Sequence, residues 1–295
     1  MSLIKNFTSG RVNSANLFSN YQVTKQVFLA RLRTFARYRG QVIMSIITPV
    51  MVASLPILMG VALSGSAENA QTNFKAITGT GNYIGYMLVG TLFFNLVSNS
   101  FWNFGYWLRR EQMQGTLETL YASPINRIWL LVGTSTYVMV RNSFIFFAAM
   151  ILGIIVFGLP LQVFLQPTLI LALFIYCIGM IPLFGLSLIF GAVVLRVKEV
   201  DSLINVTTFL LSFLLGMFFP VTVLPVLLQI ISLTIPVTWV TNSIRAVLFD
   251  ANYFLSFYLD LGVIILFALF APLFALRLFT GVEKGMQKQE GFSSY

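Results

Sequence analysis

Histidine is absent from this sequence of 295 residues, and its one cysteine, Cys177, lies inside an apolar run. Neither a disulfide framework nor a Cys/His metal site is therefore expected. Charged residues make up only 9% of the chain, whereas soluble domains carry about a quarter. Because hydrophobic residues make up 58% and the mean hydropathy is +0.87, the composition predicts an integral membrane protein.

Motifs for ATP binding are also missing. The chain contains no G-x-x-x-x-G-K-[ST] and no Gly-Lys dipeptide, so it has no P-loop to hold ATP, and no enzyme activity of its own is expected. An ion-driven carrier would be expected to place acids or histidines inside its spans, and only Asp260, near one end of the last apolar run, comes close. Neither ATP hydrolysis nor ion coupling is therefore expected of this chain by itself.

The apolar runs predict an all-α integral membrane fold in which residues 1–295 form one transmembrane domain. A helix needs about 20 apolar residues to cross the hydrocarbon layer. The stretch before Arg31 has no continuous apolar core, so no cleavable signal peptide is expected. Six spans are predicted, at about 42–63, 83–108, 130–157, 168–195, 202–219 and 255–278.

The basic residues set the predicted orientation. The net charge of +9 could suggest nucleic-acid binding, but the lysines and arginines cluster beside apolar segments, as in cytoplasmic flanks. With Arg141 set aside inside a span, fifteen basic residues fall on one side, and only Lys75 and Arg245 fall on the other. A multi-pass protein of the cell membrane is predicted, with both tails (1–41 and 279–295) in the cytoplasm.

Residues 21–39, YQVTKQVFLARLRTFARYR, precede the first predicted span. Val23, Val27, Ala30 and Phe35 fall roughly along one side of a helix, and the basic residues mostly occupy other positions. This pattern favours an interfacial helix in the inner headgroup layer. A plain basic flank is the alternative.

A polar segment, RREQMQGTLETLYASPINR, interrupts the apolar sequence at residues 109–127. As a helix, it would place Met113, Leu117, Leu120 and Tyr121 on one apolar stripe. Pro124 ends the segment, because it disfavours helical backbone at the preceding residue. The stripe must lie on the bilayer or dock into another protein. The acidic residues of the segment suit an anionic leaflet poorly, so a cytoplasmic protein partner is favoured over an incidental loop.

Three prolines follow the fifth predicted span. Pro220, Pro225 and Pro236 prevent one regular helix from crossing the bilayer, and the backbone groups that they free need partners. We expect residues 220–245, with Trp239, to form a re-entrant helical hairpin near the outer face that gates a translocation route. An outer loop of unusual hydrophobicity is the alternative.

A possible translocation path is indicated by Phe101 and Trp102 in the second predicted span and by Arg141 in the third. Aromatic side chains can bind a substrate, but they also fill contacts between spans. Arg141 lies either at mid-depth, as a functional residue, or close enough to the inner surface for its side chain to reach the headgroups.

Two motifs resemble those of ABC-2 type transporter permeases, a family of ABC exporter subunits that includes drug-resistance and polysaccharide exporters. The run from Glu111 to Pro124 is similar to the family's E-x-x-x-G-T-L-E-x-L-x-x-[ST]-P element, and Gly216–Trp239 is similar to G-x-x-[FY]-P-x-x-x-L-P … P-[LV]-[TS]. In one departure, Thr134 follows Gly133, where relatives often carry lysine. The resemblance implies a coupling helix over 111–124 that docks on an ATP-binding subunit, with a smaller contact near 196–201. The implied coupling residues are Glu111, Gly115, Thr116, Leu117, Glu118, Leu120, Tyr121, Pro124, Lys198 and Glu199.

The resemblance further implies two ATP-binding subunits that hold ATP and Mg²⁺, and a second permease copy in a homodimer or related heterodimer. The expected function is the export of a hydrophobic or amphipathic substrate such as a drug, lipid or peptide. Export of a lipid-linked polysaccharide or glycolipid is the alternative. A non-transporting docking protein and an ion-coupled carrier are the remaining hypotheses.

Overall fold

The computed structural model describes residues 14–106, 127–160, 162, 166–194, 199–217 and 219–289. Within these residues the α-helices follow one another along the chain and no strand occurs. The helices are α1 (Ser14–Arg37), α2 (Arg39–Ser64), α3 (Ala67–Thr78), α4 (Tyr83–Gly105), α5 (Arg127–Phe157), α6 (Thr168–Val194), α7 (Val200–Leu214), α8 (Val226–Leu233), α9 (Pro236–Phe249) and α10 (Phe257–Gln289).

Five helices are long and apolar enough to cross a membrane: α2, α4, α6, residues Val132–Phe157 of α5 and residues Phe257–Leu278 of α10. The pair α8–α9 is bent by 94° and makes a sixth crossing if the pair is counted as one span. The all-α, multi-span integral membrane fold expected from the apolar runs is therefore confirmed.

The core of the molecule lies around α4, which is the most buried of the spans. It packs against α2, α5 and α6, while α10 lies along α6 and α9 packs against α6. The outer surfaces of α2 and α10 expose large apolar side chains, among them Met51, Leu58, Leu266 and Phe270. Such surfaces suit hydrocarbon and not water, so the burial pattern agrees with the membrane assignment.

Helix α1 packs along the beginning of α5. The Thr24 hydroxyl donates to the Trp129 carbonyl at 3.2 Å, and a side-chain carbon at Gly133 would lie only 3.0 Å from the Thr24 carbonyl oxygen. Val23, Val27 and other apolar residues of α1 join a cluster that includes Leu130 of α5. The apolar side of the predicted N-terminal helix therefore contacts a neighbouring helix.

The two ends of the helical bundle form opposite faces of the protein, and each face is named after a helix that lies there. The α1 face holds α1, the end of α4 and the beginning of α5; the α3 face lies at the opposite ends of these spans. On the α3 face, the Asn252 backbone donates to the Thr78 carbonyl at 2.8 Å. This bond ties the loop before α10 to the end of α3.

The helix at the fifth predicted span ends earlier than expected. It runs over Val200–Leu214, 15 residues, whereas the prediction extended to Phe219. Gly216 has a φ of 64°, Met217 N–H donates to the Ser212 carbonyl, and Gly216 N–H donates to the Phe213 carbonyl. This is the Schellman arrangement, in which a left-handed glycine stops a helix.

Candidate functional site

The predicted docking segment falls largely outside the described residues. Glu111, Gly115, Thr116, Leu117, Glu118, Leu120, Tyr121, Pro124 and Lys198 all lie there. Of the predicted coupling residues, the structure describes Glu199, which is exposed immediately before α7.

The helices that flank these segments meet on the α1 face. A carbon at Gly105, the last residue of α4, would lie 3.0 Å from Ile204 of α7 and 3.5 Å from Val194, the last residue of α6. The chain therefore enters the segments 107–126 and 195–198 from helix ends that contact one another.

The second predicted site, residues 220–245, lies within residues 219–249, which contain a short 3-10 turn, α8 and α9 and are called the re-entrant unit after that prediction. Each predicted proline lies where a helix begins: Pro220 precedes the 3-10 turn, Pro225 precedes α8, and Pro236 is the first residue of α9. Proline suits these positions because its fixed φ fits a helix start and its missing N–H costs nothing there.

Polar side chains satisfy the backbone of the re-entrant unit. The Gln229 amide donates to the carbonyls of Thr222 at 3.0 Å and Leu224 at 2.7 Å. The Ser232 hydroxyl donates to the Leu214 carbonyl at the end of α7. The Trp239 indole N–H donates to the Leu233 carbonyl at 2.8 Å, which fixes the bend between α8 and α9. These bonds make an irregular backbone compatible with a membrane environment.

Every residue of α9 is buried, and among them is a cation, Arg245, which is 1% exposed. Its Nε donates to the Tyr86 carbonyl of α4 at 3.0 Å, and its terminal nitrogen donates to the Gly216 carbonyl at 2.9 Å. The guanidinium carbon lies 3.7 Å from the centroid of the Tyr86 ring. Arg245 therefore joins α9, α4 and the end of α7.

Arg245, which the charge count placed with Lys75 opposite the basic flanks, lies inside a buried helix and not in an exposed loop. Within the described part of the chain, it forms no ion pair with an acidic side chain; carbonyl dipoles and an aromatic face stabilise its charge instead. A count of charges along the sequence cannot detect how the charge of Arg245 is stabilised, since the stabilising groups are backbone carbonyls that are distant in the chain.

Three asparagines form a polar stripe on α4, a feature that the sequence interpretation missed. Asn95, Asn99 and Asn103 recur every four residues and are half-buried. The Asn99 amide donates to the Asn95 side-chain oxygen at 2.7 Å, and the Asn103 amide donates to the Asn99 carbonyl at 2.6 Å. The stripe could have been detected in the sequence, because a spacing of four residues places these side chains on one face of a helix.

The asparagine stripe borders a narrow crevice between α2, α4 and α5, where Pro49, Asn95, Asn99 and Asn142 meet and which, in this conformation, has no space for a water molecule. The Asn142 amide donates to the Ser100 hydroxyl at 3.1 Å. The side-chain oxygen of Asn142 is buried and accepts no hydrogen bond in the described structure. A buried acceptor of this kind costs free energy unless a water molecule or ligand supplies a donor.

The residues predicted to line a translocation path lie in three different environments. Phe101 is buried in the core, with its ring stacked on Phe190 at 4.3 Å. Trp102 is half-buried and stacks on Tyr106 at 5.3 Å. The Arg141 guanidinium lies 5.1 Å from the centroid of Phe35, beside α1. Each of the three side chains therefore contacts a different aromatic neighbour.

Asp260 has a structural role at the start of α10. It is fully buried, and its two carboxylate oxygens accept the backbone N–H groups of Phe254 and Leu255, each at 3.1 Å. These bonds hold the loop before α10 in place.

The fold defines a multi-pass helical membrane protein with a helical pair bent by 94° before its last span. Residues 20–249 match the model of the ABC-2 type transporter family. Because the match covers most of the chain, this protein belongs to that family and is the membrane-spanning permease of an ABC transporter, a class that pairs with an ATP-binding subunit. No curated protein matches the chain.

Proposed function

We propose that this protein is the permease subunit of an ATP-driven exporter that moves a hydrophobic or amphipathic molecule, such as a drug, lipid or peptide, across the cell membrane. One observation carries the substrate class: the unpartnered oxygen of Asn142 is buried beside the asparagine stripe of α4. Export, as opposed to import, rests on the resemblance of the two motifs.

The asparagine stripe suits an amphipathic substrate. Polar side chains inside membrane-spanning helices are costly in lipid, and they usually face the bundle interior or a water-filled cavity. Asn95 and Asn99 lie among apolar neighbours, including Leu92 and Phe146, in the same crevice. A molecule with an apolar body and a hydrogen-bond donor would match both parts of this surface.

Energy is proposed to come from a separate ATP-binding subunit that holds ATP and Mg²⁺. It would dock on the segment 111–124, with a second contact at Lys198 and Glu199. The contacts among the ends of α4, α6 and α7 support this arrangement, because they would transmit a push on either segment to three helices at once.

Two permease copies, identical or related, would pair with two ATP-binding subunits around a central path. With both termini in the cytoplasm, the re-entrant unit would lie near the outer face. The Trp239 hydrogen bond fixes the bend of this unit, and the Arg245 contacts hold the unit against α4. With these contacts the unit would move as one body when it closes the path.

The test is transport by the permease and its ATP-binding subunit reconstituted in proteoliposomes. A fluorescent hydrophobic drug, a fluorescent phospholipid and a lipid-linked oligosaccharide serve as probes. Asn99→Leu and Asn142→Leu are expected to lower substrate-stimulated ATP hydrolysis about tenfold, since one lost hydrogen bond is worth about 1 to 1.5 kcal/mol. Basal hydrolysis should persist.

Asn73→Leu is the matched control, because Asn73 is exposed on α3 outside the spans. Normal transport of all active probes by both stripe variants would contradict the proposal that the asparagine stripe binds the substrate. Accumulation of probe on the side that carries the ATP-binding subunits would contradict export.

A further inference from the structure

A second cavity, separate from the asparagine stripe, opens between α5 and α6. These helices are consecutive in the chain but make few contacts with each other. The gap between them has a volume of about 190 Å³. Ile244 and Leu248 of α9, together with Val89 of α4, form its floor.

The walls of this α5–α6 crevice are almost entirely apolar. They include Phe147, Met150 and Ile151 of α5 and Leu173 of α6. The polar group among the lining residues is the hydroxyl of Tyr176, which is already satisfied because it donates to Ser143 at 3.0 Å. An apolar cavity of even about 150 Å³ stays dry and binds apolar guests, so water is not the expected occupant.

The crevice opens sideways, toward the exterior of the helical bundle. At its mouth, Ile151 is 60% exposed and Leu173 is 37% exposed, while the adjacent Ile155 and Ile170 project outward and are 71% and 75% exposed. In a membrane-spanning protein, the medium at this surface is the hydrocarbon of the bilayer. Along α5 the crevice runs from Phe146 to Ile154, about 12 Å at the rise of an α-helix.

We propose that the α5–α6 crevice binds one acyl chain, inserted between the two helices from the surrounding bilayer. The occupant follows from the size and length of the cavity, its lack of available polar groups and its opening onto a lipid-facing surface. Filling the gap restores the dispersion contacts that its lining side chains otherwise lack. The chain belongs either to a phospholipid of the membrane or to a free fatty acid.

The bound chain would also support the re-entrant unit. Ile244 and Leu248 lie one residue before and three residues after Arg245 on α9, and they contact the crevice from the side of the core. An acyl chain against these residues would hold α9 against α4 and α6. This site does not depend on the substrate or direction of transport proposed above.

The experiment uses the purified full-length protein in lipid nanodiscs that contain a phosphatidylcholine with a photoreactive diazirine at the end of one acyl chain. After illumination, the labelled residues are mapped by peptide mass spectrometry. Labels are expected to concentrate on the residues of α5 and α6 that line the crevice. The exposed surface of α10 serves as the reference for random contact with lipid.

Leu173→Trp should plug the mouth and lower crevice labelling about tenfold, because excluding about two methylene groups from an apolar site changes affinity by that factor. Ile170→Trp, on the same helix but outside the crevice, is the matched control and should leave labelling unchanged. Leu173→Ala, which opens the mouth without filling it, should retain crevice labelling. Unchanged labelling of α10 shows that each variant is inserted in the nanodisc and meets the lipid probe to the same extent.

A second arm adds a diazirine fatty acid to nanodiscs of unlabelled lipid. Crevice labelling by the phospholipid probe but not by the fatty acid assigns the site to a membrane lipid, and the reverse assigns it to a free acyl chain. Equal labelling of the crevice and α10 would overturn the proposal. So would equal crevice labelling in the two tryptophan variants, or a cross-link through the crevice between two copies of the chain.

Discussion

The guanidinium of Arg245 lies 3.7 Å from the centroid of the Tyr86 ring and donates a hydrogen bond to the carbonyl oxygen of the same residue. One residue of α4 thus supplies both an aromatic face and an acceptor to a buried cation. A second carbonyl, that of Gly216, completes the contact. The position of the re-entrant unit therefore depends on a charge held by dipoles from two other helices.

Gly90→Ala is expected to disturb this contact. The added carbon would overlap a terminal nitrogen of Arg245, so the guanidinium would have to move from its acceptors. Overpacking of this kind costs about 1–3 kcal/mol. We expect a lower midpoint of thermal unfolding for the purified permease, measured by intrinsic fluorescence.

Gly262→Ala is the control for that variant, because a carbon at Gly262 in α10 meets no atom within 4 Å. Its unfolding midpoint should equal that of the wild type or exceed it slightly, since alanine favours helix over glycine. If both variants have the same midpoint, the Arg245 contact does not stabilise the fold.

Gly216→Ala is expected to weaken the end of α7. A non-glycine residue at a φ of 64° costs about 1–2 kcal/mol, and the new carbon would lie 2.9 Å from Val221. Limited proteolysis and thermal unfolding should both show a less stable protein. Gly216→Asn should lose less stability, because asparagine tolerates the left-handed conformation better than alanine does; the opposite order would contradict the assigned cap.

Glu118→Lys should uncouple the permease from its ATP-binding subunit. A reversed charge in the proposed docking segment is expected to weaken copurification of the two subunits about tenfold, as like charges at an interface cost more than 1.4 kcal/mol. Glu68→Lys makes the same change on the exposed surface of α3 and should have no effect. Equal copurification in the two variants would place the docking surface elsewhere.

The predicted orientation can be measured with thiol labelling in a Cys177→Ala background. Lys75→Cys on α3 should react with a membrane-impermeant maleimide in intact cells, because the positive-inside bias places α3 outside. Glu199→Cys should react only after the membrane is permeabilised. Both native side chains are exposed, so access to the probe and not burial decides the result. The reverse pattern would invert the topology.

The apolar runs and prolines were sufficient to predict most of the helices. The first span, predicted at 42–63, lies within α2, and each proline of the 220–245 region precedes or begins a helix. Such features are local: hydrocarbon requires long apolar helices, and proline acts on the residues beside it. The end of α7 was predicted less well, because Gly216 stops the helix inside a run that is uncharged throughout.

The long apolar runs by themselves determined that this is a helical membrane protein, since a run of about 20 apolar residues crosses lipid as a helix, which satisfies its own backbone hydrogen bonds. Only the tertiary structure showed which polar residues are buried and which groups they contact. In the sequence, Arg245 is one more basic residue and Asn142 is an ordinary polar residue. In the fold, Tyr86 and Gly216 accept hydrogen bonds from Arg245, and the asparagine stripe lies beside Asn142. The free energy of burying a polar group depends on partners that are far away in the sequence. The spacing of residues along the chain does not identify those partners.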